Sequence, residues 1–127
     1  MLALCLSVTI ARAQQPQTPE QREKQLLEYV DKEVQRLSTL LELEYWQEFY
    51  VDSTLTHDYK AMNEEMEKMQ GAKVENSDLY INVQDKWMQQ IDDTYKRLFT
   101  ADQWAKYWKS GGKRAQEARD KRNKKKK

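Results

Sequence analysis

Three segments of the chain carry apolar side chains at the three- and four-residue spacing of an amphipathic helix. The spacing is sustained over residues 26–41, 55–69 and 80–98. In the second segment it forms a heptad seam of the kind found in a coiled coil. Each stripe occupies one face of an otherwise charged segment, so we expect the three helices to pack on one another.

Short polar motifs mark where helices begin. Thr18 is followed three residues later by Gln21, and Thr100 by Gln103. In this arrangement, a capping box, the Thr hydroxyl accepts from a backbone N–H of the first turn and the Gln side chain reaches back to the Thr N–H. The sequence therefore predicts one helix start after Thr18 and another after Thr100.

Breaks between helices are few. Gly71 and the pair Gly111–Gly112 are predicted helix ends, and the polar run over residues 52–58 is expected to bend the second helix. With three Gly and two Pro in 127 residues, the chain lacks the turns of a β-sandwich or barrel. The predicted fold is all-α, an antiparallel helical hairpin with an additional helix at each end. Its helices are expected near residues 19–37, 43–70, 77–98 and 101–110.

The capping motifs also carry a family resemblance. The run Phe99-Thr100-Ala101-Asp102-Gln103 matches an apolar–Thr–x–x–Gln signature, and Leu43-Glu44-Tyr45-Trp46-Gln47 is a second copy with Glu44 in place of Thr. Two such copies at helix starts around a hairpin resemble the Spy/CpxP-like proteins, the LTxxQ family of the bacterial envelope, or a neighbouring family of exported proteins with the same helical hairpin. The resemblance covers roughly residues 37–110. It implies an exported helical protein that acts as an ATP-independent periplasmic chaperone or as an envelope-stress or metal-responsive regulator. Because the first copy of the motif is degraded, the resemblance leaves open whether this chain forms the family's cradle-shaped dimer.

The N-terminal residues resemble an export signal. An apolar run over residues 2–10 is followed by Ala11-Arg12-Ala13 and then by polar residues, which predicts a signal peptide over residues 1–13 with cleavage after Ala13. The alternative is a buried first helix. Cys5 is the only cysteine, so cleavage would leave a chain without a thiol, and hence without a disulfide.

Charge is unevenly distributed along the chain. Residues 113–127 carry nine basic and two acidic side chains, a net charge of +7, whereas residues 14–112 carry 12 basic and 19 acidic ones, a net charge of −7. Because this basic tail has no apolar side chain larger than alanine, it is predicted to be mobile or a frayed helix. It could attract an anionic lipid or lipopolysaccharide surface, or the acidic body of a second copy. The candidate anion-binding residues are Lys113, Arg114, Arg119, Lys121, Arg122, Lys124, Lys125, Lys126 and Lys127.

The sequence gives little support to catalysis, cofactor binding or a metal site. There is no Gly-rich phosphate loop, and adjacent carboxylates such as Asp92 and Asp93 point to different helix faces, which favours solvated charge over an acid–base pair. His57 is the only histidine, and one histidine beside loosely placed carboxylates is weak as a zinc site. We interpret it as a surface residue in the expected helix bend.

The aromatic residues are the stronger functional signal. Four Trp and seven Tyr are many for helices that enclose only a thin core. Trp46, Tyr50, Trp104 and Trp108 are the candidates for a partner-binding surface, although the face shared by Trp104 and Trp108 could instead pack on the hairpin. The capping residues Thr18, Gln21, Gln47, Thr100 and Gln103 complete the set of candidate site residues.

These observations predict a non-enzymatic exported protein that binds other proteins, chaperone-like or related to envelope stress, and able to form a homodimer. One alternative is a structural or regulatory interaction module that the basic tail tethers to an anionic membrane surface. A second alternative applies only if residues 1–13 are retained in the cytosol, where the tail could contact nucleic acid; with export, no nucleic-acid partner is expected.

Overall fold

A computed structural model describes residues 17–126, and within that range the fold is all-α, as the sequence predicts. The predicted signal peptide over residues 1–13 and its Cys5 lie outside the described residues, as does Lys127. The helices are α1 (Pro19–Leu41), α2 (Tyr45–Gly71), α3 (Ser77–Leu98), α4 (Ala101–Tyr107) and α5 (Lys113–Lys125). Trp108–Gly112 joins α4 to α5 across a kink at Gly111. None of the helices within 17–126 is both long and apolar enough to cross a membrane.

Helix α2 lies between α1 and α3 and runs antiparallel to both. On one side, the Tyr29 ring of α1 packs edge-on against the Tyr59 ring of α2, with 5.3 Å between their centroids. On the other side, Lys86 of α3 donates to Glu65 of α2 at 2.7 Å. The short helix α4 returns to pack against α1. The predicted hairpin is therefore α2–α3, with α1 and α4 added at its two ends.

The apolar core is concentrated at one end of the molecule, where α1 and α3 end and where α2 and α4 begin. We call this the core end. The buried apolar side chains that make contact there are Val30, Leu37, Leu41, Leu43, Val51, Leu55, Ile91, Tyr95 and Phe99. At the opposite end, α1 and α2 leave between them an open groove of about 790 Å³. The predicted apolar stripes thus point inward, but only half of their length encloses a core.

One predicted break in the helices is wrong and another is confirmed. Helix α2 is continuous through residues 52–58, so the expected break is absent there. The predicted helix end at Gly111–Gly112 is confirmed, because Gly111 has φ 144°, a conformation that is not helical and that an L side chain rarely adopts. Gly111 therefore forms a kink that separates two helices, and the second of them, α5, is the part that the sequence does not predict.

The prediction of a mobile or frayed basic tail is wrong for Lys113–Lys125, which forms helix α5 and lies against α3. Arg119 is 5% exposed, and its Nη2 lies 2.5 Å from Asp92 Oδ2. Arg122 donates two hydrogen bonds to Asp85, at 2.6 and 2.8 Å, which raise the pKa of its guanidinium. The segment has few apolar side chains to bury, and charge-assisted hydrogen bonds hold it against α3 instead. Ordered helical structure therefore continues beyond residue 112.

Carboxylates are buried between helices, and the sequence assigns one of them, Asp92, to solvent. Asp92 is 6% exposed, so the interpretation of Asp92 and Asp93 as a solvated pair is wrong for Asp92. Asp58 of α2 is 4% exposed, and among the described residues its Oδ2 has no hydrogen-bond partner. Helical spacing identifies the buried face of a helix but does not show that an acid on that face meets a cation from a distant segment.

If Asp85 and Asp92 depend on their α5 partners, a chain truncated after Gly112 will unfold more easily. The truncation removes the charge-assisted hydrogen bonds of both pairs, each worth about 1.5–3 kcal/mol. Because α5 also covers the two carboxylates, its loss exposes them to water, and this hydration offsets part of the cost. The midpoint of urea denaturation measures the effect. Truncation after Asn123 is the matched control, since it removes four of the lysines and keeps both arginine pairs. Equal midpoints for the two truncated chains would contradict the prediction.

Aromatic residues close the core end. The Tyr95 ring stacks on Phe99 at 4.9 Å between centroids, and the Tyr107 ring packs edge-on against Tyr95 at 5.4 Å. Burial raises the pKa of both Tyr95 and Tyr107, and the hydrogen bond from the Tyr107 hydroxyl to Asp92 raises the pKa of Tyr107 further. The folded protein therefore holds these phenolic protons more tightly than the unfolded chain.

The substitution Tyr95→Phe is expected to make the free energy of unfolding fall less steeply as the pH rises in the alkaline range. Above about pH 10 the unfolded chain releases the Tyr95 proton while the folded protein keeps it, so the free energy of unfolding falls as pH rises. One such tyrosine contributes at most about 1.4 kcal/mol per pH unit. Urea denaturation of wild type and variant at a series of pH values above 9 measures the two slopes. Parallel slopes would contradict the assignment.

Candidate functional site

The two glutamines of the repeated motif lie together at the core end, although 56 residues separate them in sequence. Gln47 begins α2 and is 2% exposed, and Gln103 begins α4 and is half-buried. Gln47 Nε2 donates to Gln103 Oε1 at 2.7 Å, and Gln103 Nε2 donates to Gln47 Oε1 at 3.0 Å. We call this reciprocal pair the glutamine clasp.

Each amide in the glutamine clasp also binds two backbone groups at helix ends. Gln47 accepts from the Glu44 N–H at 2.9 Å and donates to the Leu98 carbonyl at 3.3 Å. Gln103 accepts from the Thr100 N–H at 3.0 Å and donates to the Leu41 carbonyl at 3.3 Å. A primary amide has two N–H donors and one oxygen with two lone pairs. Both side chains therefore use their full hydrogen-bonding capacity, and the clasp joins the ends of α1 and α3 to the starts of α2 and α4.

The other capping residues act locally. The Thr18 hydroxyl accepts from the Gln21 N–H at 3.2 Å, and Gln21 Oε1 accepts from the Thr18 N–H at 3.1 Å. The Thr100 hydroxyl accepts from the Gln103 N–H at 3.2 Å. Glu44, which replaces Thr in the first copy of the motif, uses its carboxylate to accept from the Trp46 indole N–H. Gln21 lies at the exposed start of α1 and takes no part in a clasp.

An exposed aromatic surface lies beside the glutamine clasp on the first turns of α2. We call Tyr45, Trp46, Phe49 and Tyr50 the aromatic patch; their exposed fractions are 89%, 51%, 65% and 54%. The Tyr50 ring contacts both Trp46 and Phe49 edge-on, with centroids 6.2 and 5.8 Å apart. Gln47 and Val51 occupy the opposite, buried face of the same turns. The start of α2 therefore carries aromatic side chains on its solvent face in addition to the face that packs into the fold, and folding alone does not require a cluster of exposed rings.

The candidate partner-binding residues divide into two groups. Trp46 and Tyr50 are exposed and belong to the aromatic patch. Trp104 packs against the core, and Trp108 is half-buried with its ring 5.8 Å from that of Trp104. Tyr45 and Phe49, which complete the patch, are not among the residues predicted from sequence, although like Trp46 and Tyr50 they lie outside the apolar stripes. The signal that could have found them is four aromatic residues within six positions.

The candidate anion-binding cations also divide. Arg119 and Arg122 point inward to α3. Lys113 lies 4.0 Å from Glu117 of its own helix. The side chains of Arg114, Lys121, Lys124, Lys125 and Lys126 are exposed. Helix α5 therefore has one face that is neutralised by α3 and another that presents cations to solvent.

His57 is 74% exposed, and its Nδ1 lies 2.8 Å from Asp58 Oδ1. Within residues 17–126, no group of three or more His, Cys, Asp or Glu side chains is placed to hold a metal ion. The clasp amides have neither a titratable proton nor unused hydrogen-bonding capacity, so they position helices and do not react.

Comparison of the chain with protein-family models, with curated proteins and with solved structures found no match.

If the glutamine clasp joins the two motif copies, Gln47→Ala and Gln103→Ala will each lower the free energy of unfolding by about 2–3 kcal/mol, because each leaves buried polar groups without partners. The double variant is expected to lose less than the sum of the two, with a coupling of about 1–2 kcal/mol. Urea denaturation of the four proteins completes the cycle. Gln21→Ala is the matched control: it removes the same side chain from a capping box without a clasp. Additive effects of Gln47→Ala and Gln103→Ala would disprove the coupling.

Proposed function

We propose that the chain is a non-enzymatic, exported helical protein that binds other proteins through the aromatic patch, in the manner of a chaperone. The observation that carries the proposal is the exposure of this patch. Eight large apolar side chains in residues 17–126 are exposed, and four of them lie within the six positions of the patch. A clustered apolar surface on a charged protein is typical of a site for another macromolecule.

The surroundings of the patch indicate the kind of client it would bind. Glu44 and Asp52 are exposed carboxylates at the two ends of these turns, whereas Glu48 is half-buried and accepts a hydrogen bond from Ser38 of α1. An apolar surface edged with carboxylates favours an unfolded segment that carries both apolar and basic side chains. Tyr and Trp rings suit varied clients, since they offer a large contact area with few rotatable bonds.

The patch is held in place by the glutamine clasp directly beneath it. Gln47 lies between Trp46 and Phe49 in sequence and is fixed from the opposite face by Gln103. This rigid support lets aromatic side chains remain exposed without rearrangement of the core. The repeated motif that supplies the clasp supports membership of the Spy/CpxP-like family as part of the proposal. The pattern over residues 2–13 supports export.

The proposal is tested by light scattering from a client that aggregates as it unfolds. Substoichiometric wild-type protein is expected to suppress the scattering, and Trp46→Ser with Phe49→Ser is expected to abolish most of the suppression. The loss follows from the removal of apolar contact area, and because both side chains are exposed the variant should keep its fold, within about 0.5 kcal/mol per substitution.

Leu79→Ser with Ile81→Ser is the matched control, since Leu79 and Ile81 are also exposed apolar residues but lie at the start of α3, away from the patch. This variant is expected to suppress aggregation as well as wild type does. A wild-type protein without suppression, or a patch variant that equals wild type, would disprove the proposal.

A further inference from the structure

The kink between α4 and α5 forms an open concavity that is separate from the aromatic patch. Gly111, with φ 144°, turns the chain so that side chains before and after it face one another. The concavity measures about 690 Å³ and is open to solvent. We call it the kink pocket, and the side chains that decide its chemistry are Trp108, Lys109, Lys113, Arg114 and Glu117.

Three cations and one carboxylate line the kink pocket. Lys113 is the closest cation to Glu117, at 4.0 Å. In the part of the chain that the structure describes, no carboxylate lies within 4.0 Å of the charged groups of Lys109 or Arg114. The arginines further along α5 that face the body are paired with α3, so the kink pocket has positive charge that the fold does not use.

The indole of Trp108 gives the kink pocket an apolar side. The ring is half-buried and tilted against Trp104, which packs against the core. It is therefore held in place at the edge of the concavity. A rigid indole beside several cations suits a ligand that has an anionic group next to a less polar portion, as in a phospholipid headgroup.

We propose that the kink pocket binds a phosphate group. Arg114 presents a planar guanidinium that can donate two parallel hydrogen bonds to phosphate oxygens, and the two lysines add point charges. Phosphate has more acceptor oxygens than a carboxylate, which suits a concavity lined by three cations. The negative charge of Glu117 repels a bound phosphate and lowers the affinity of the kink pocket for it. The site shares no residue with the aromatic patch, so this proposal is independent of client binding.

The experiment uses the full chain and inorganic phosphate as the first probe. In NMR titrations at constant ionic strength, the Trp108 indole N–H and the amides of residues 109–114 are expected to shift saturably with phosphate and not with acetate. Trp108→Phe assigns the indole resonance. Equal shifts with acetate, or shifts that do not saturate, would overturn the proposal.

Two double variants distinguish a pocket from a general attraction to the basic helix. Lys109→Gln with Arg114→Gln is expected to weaken phosphate binding by about tenfold or more, since it removes two charged donors. Lys121→Gln with Lys124→Gln removes the same charge from exposed positions outside the pocket and is expected to change the affinity less than about twofold. Equal weakening by the two variants would show only a diffuse field and overturn the proposal.

Glu117→Gln provides a gain-of-binding test, because removing the opposing carboxylate should tighten phosphate binding. Unchanged or weaker binding by this variant would count against the pocket. Circular dichroism and urea midpoints show that each variant is folded.

A second arm identifies where the phosphate comes from. Sedimentation with phosphatidylglycerol vesicles, compared with phosphatidylcholine vesicles, is repeated for the same variants. Vesicle binding that falls with Lys109→Gln and Arg114→Gln assigns the pocket to a lipid headgroup. Phosphate binding without vesicle binding assigns it to a soluble phosphate, and both results support the proposal. The absence of binding in both arms would overturn it.

Discussion

The hydrogen bonds between Gln47 and Gln103 are the constraint on which the arrangement of helices depends. A buried amide that lacks partners costs about 1–3 kcal/mol for each unsatisfied group, so each glutamine is acceptable at the core end only while the other is in place. Their remaining hydrogen bonds reach the ends of α1 and α3. Four helix termini are thereby fixed by one polar contact, and the apolar core packs around them.

Away from the clasp, where few apolar side chains are buried, polar contacts hold the helices together. The seam between α2 and α3 includes Asp58, whose Oδ1 lies 3.4 Å from Gln90 Nε2, and Glu65, which accepts from both Lys86 and Trp87. The hydrogen bonds from Lys86 and Trp87 lower the pKa of Glu65. Apolar surface is scarce in this chain, yet a cluster of it faces solvent at the aromatic patch. That contrast supports a binding role for the patch.

Local rules predict most of the fold. The apolar stripes locate α1, α2 and α3, and the Thr–x–x–Gln motifs locate the starts of α1 and α4, because periodicity and capping depend on residues within one or two turns. The position of α5 depends on long-range ion pairs between Arg119 and Asp92 and between Arg122 and Asp85, which local rules do not specify. The same limit applies to the site: Gln47 and Gln103 can be identified as caps from sequence, but their contact requires the whole fold.

The kink at Gly111 determines how far each part of α5 would move if the helix rotated about that residue. The helix has 13 residues, a length of about 20 Å at 1.5 Å per residue. A rotation of about 20° at Gly111 would move its far end by roughly 7 Å while displacing the residues beside the kink very little. The Arg122–Asp85 pair lies further from the glycine than the Arg119–Asp92 pair, so the same rotation would lengthen the outer pair more than the inner one. The two ion pairs together therefore fix the angle between α5 and α3 more firmly than either pair could alone.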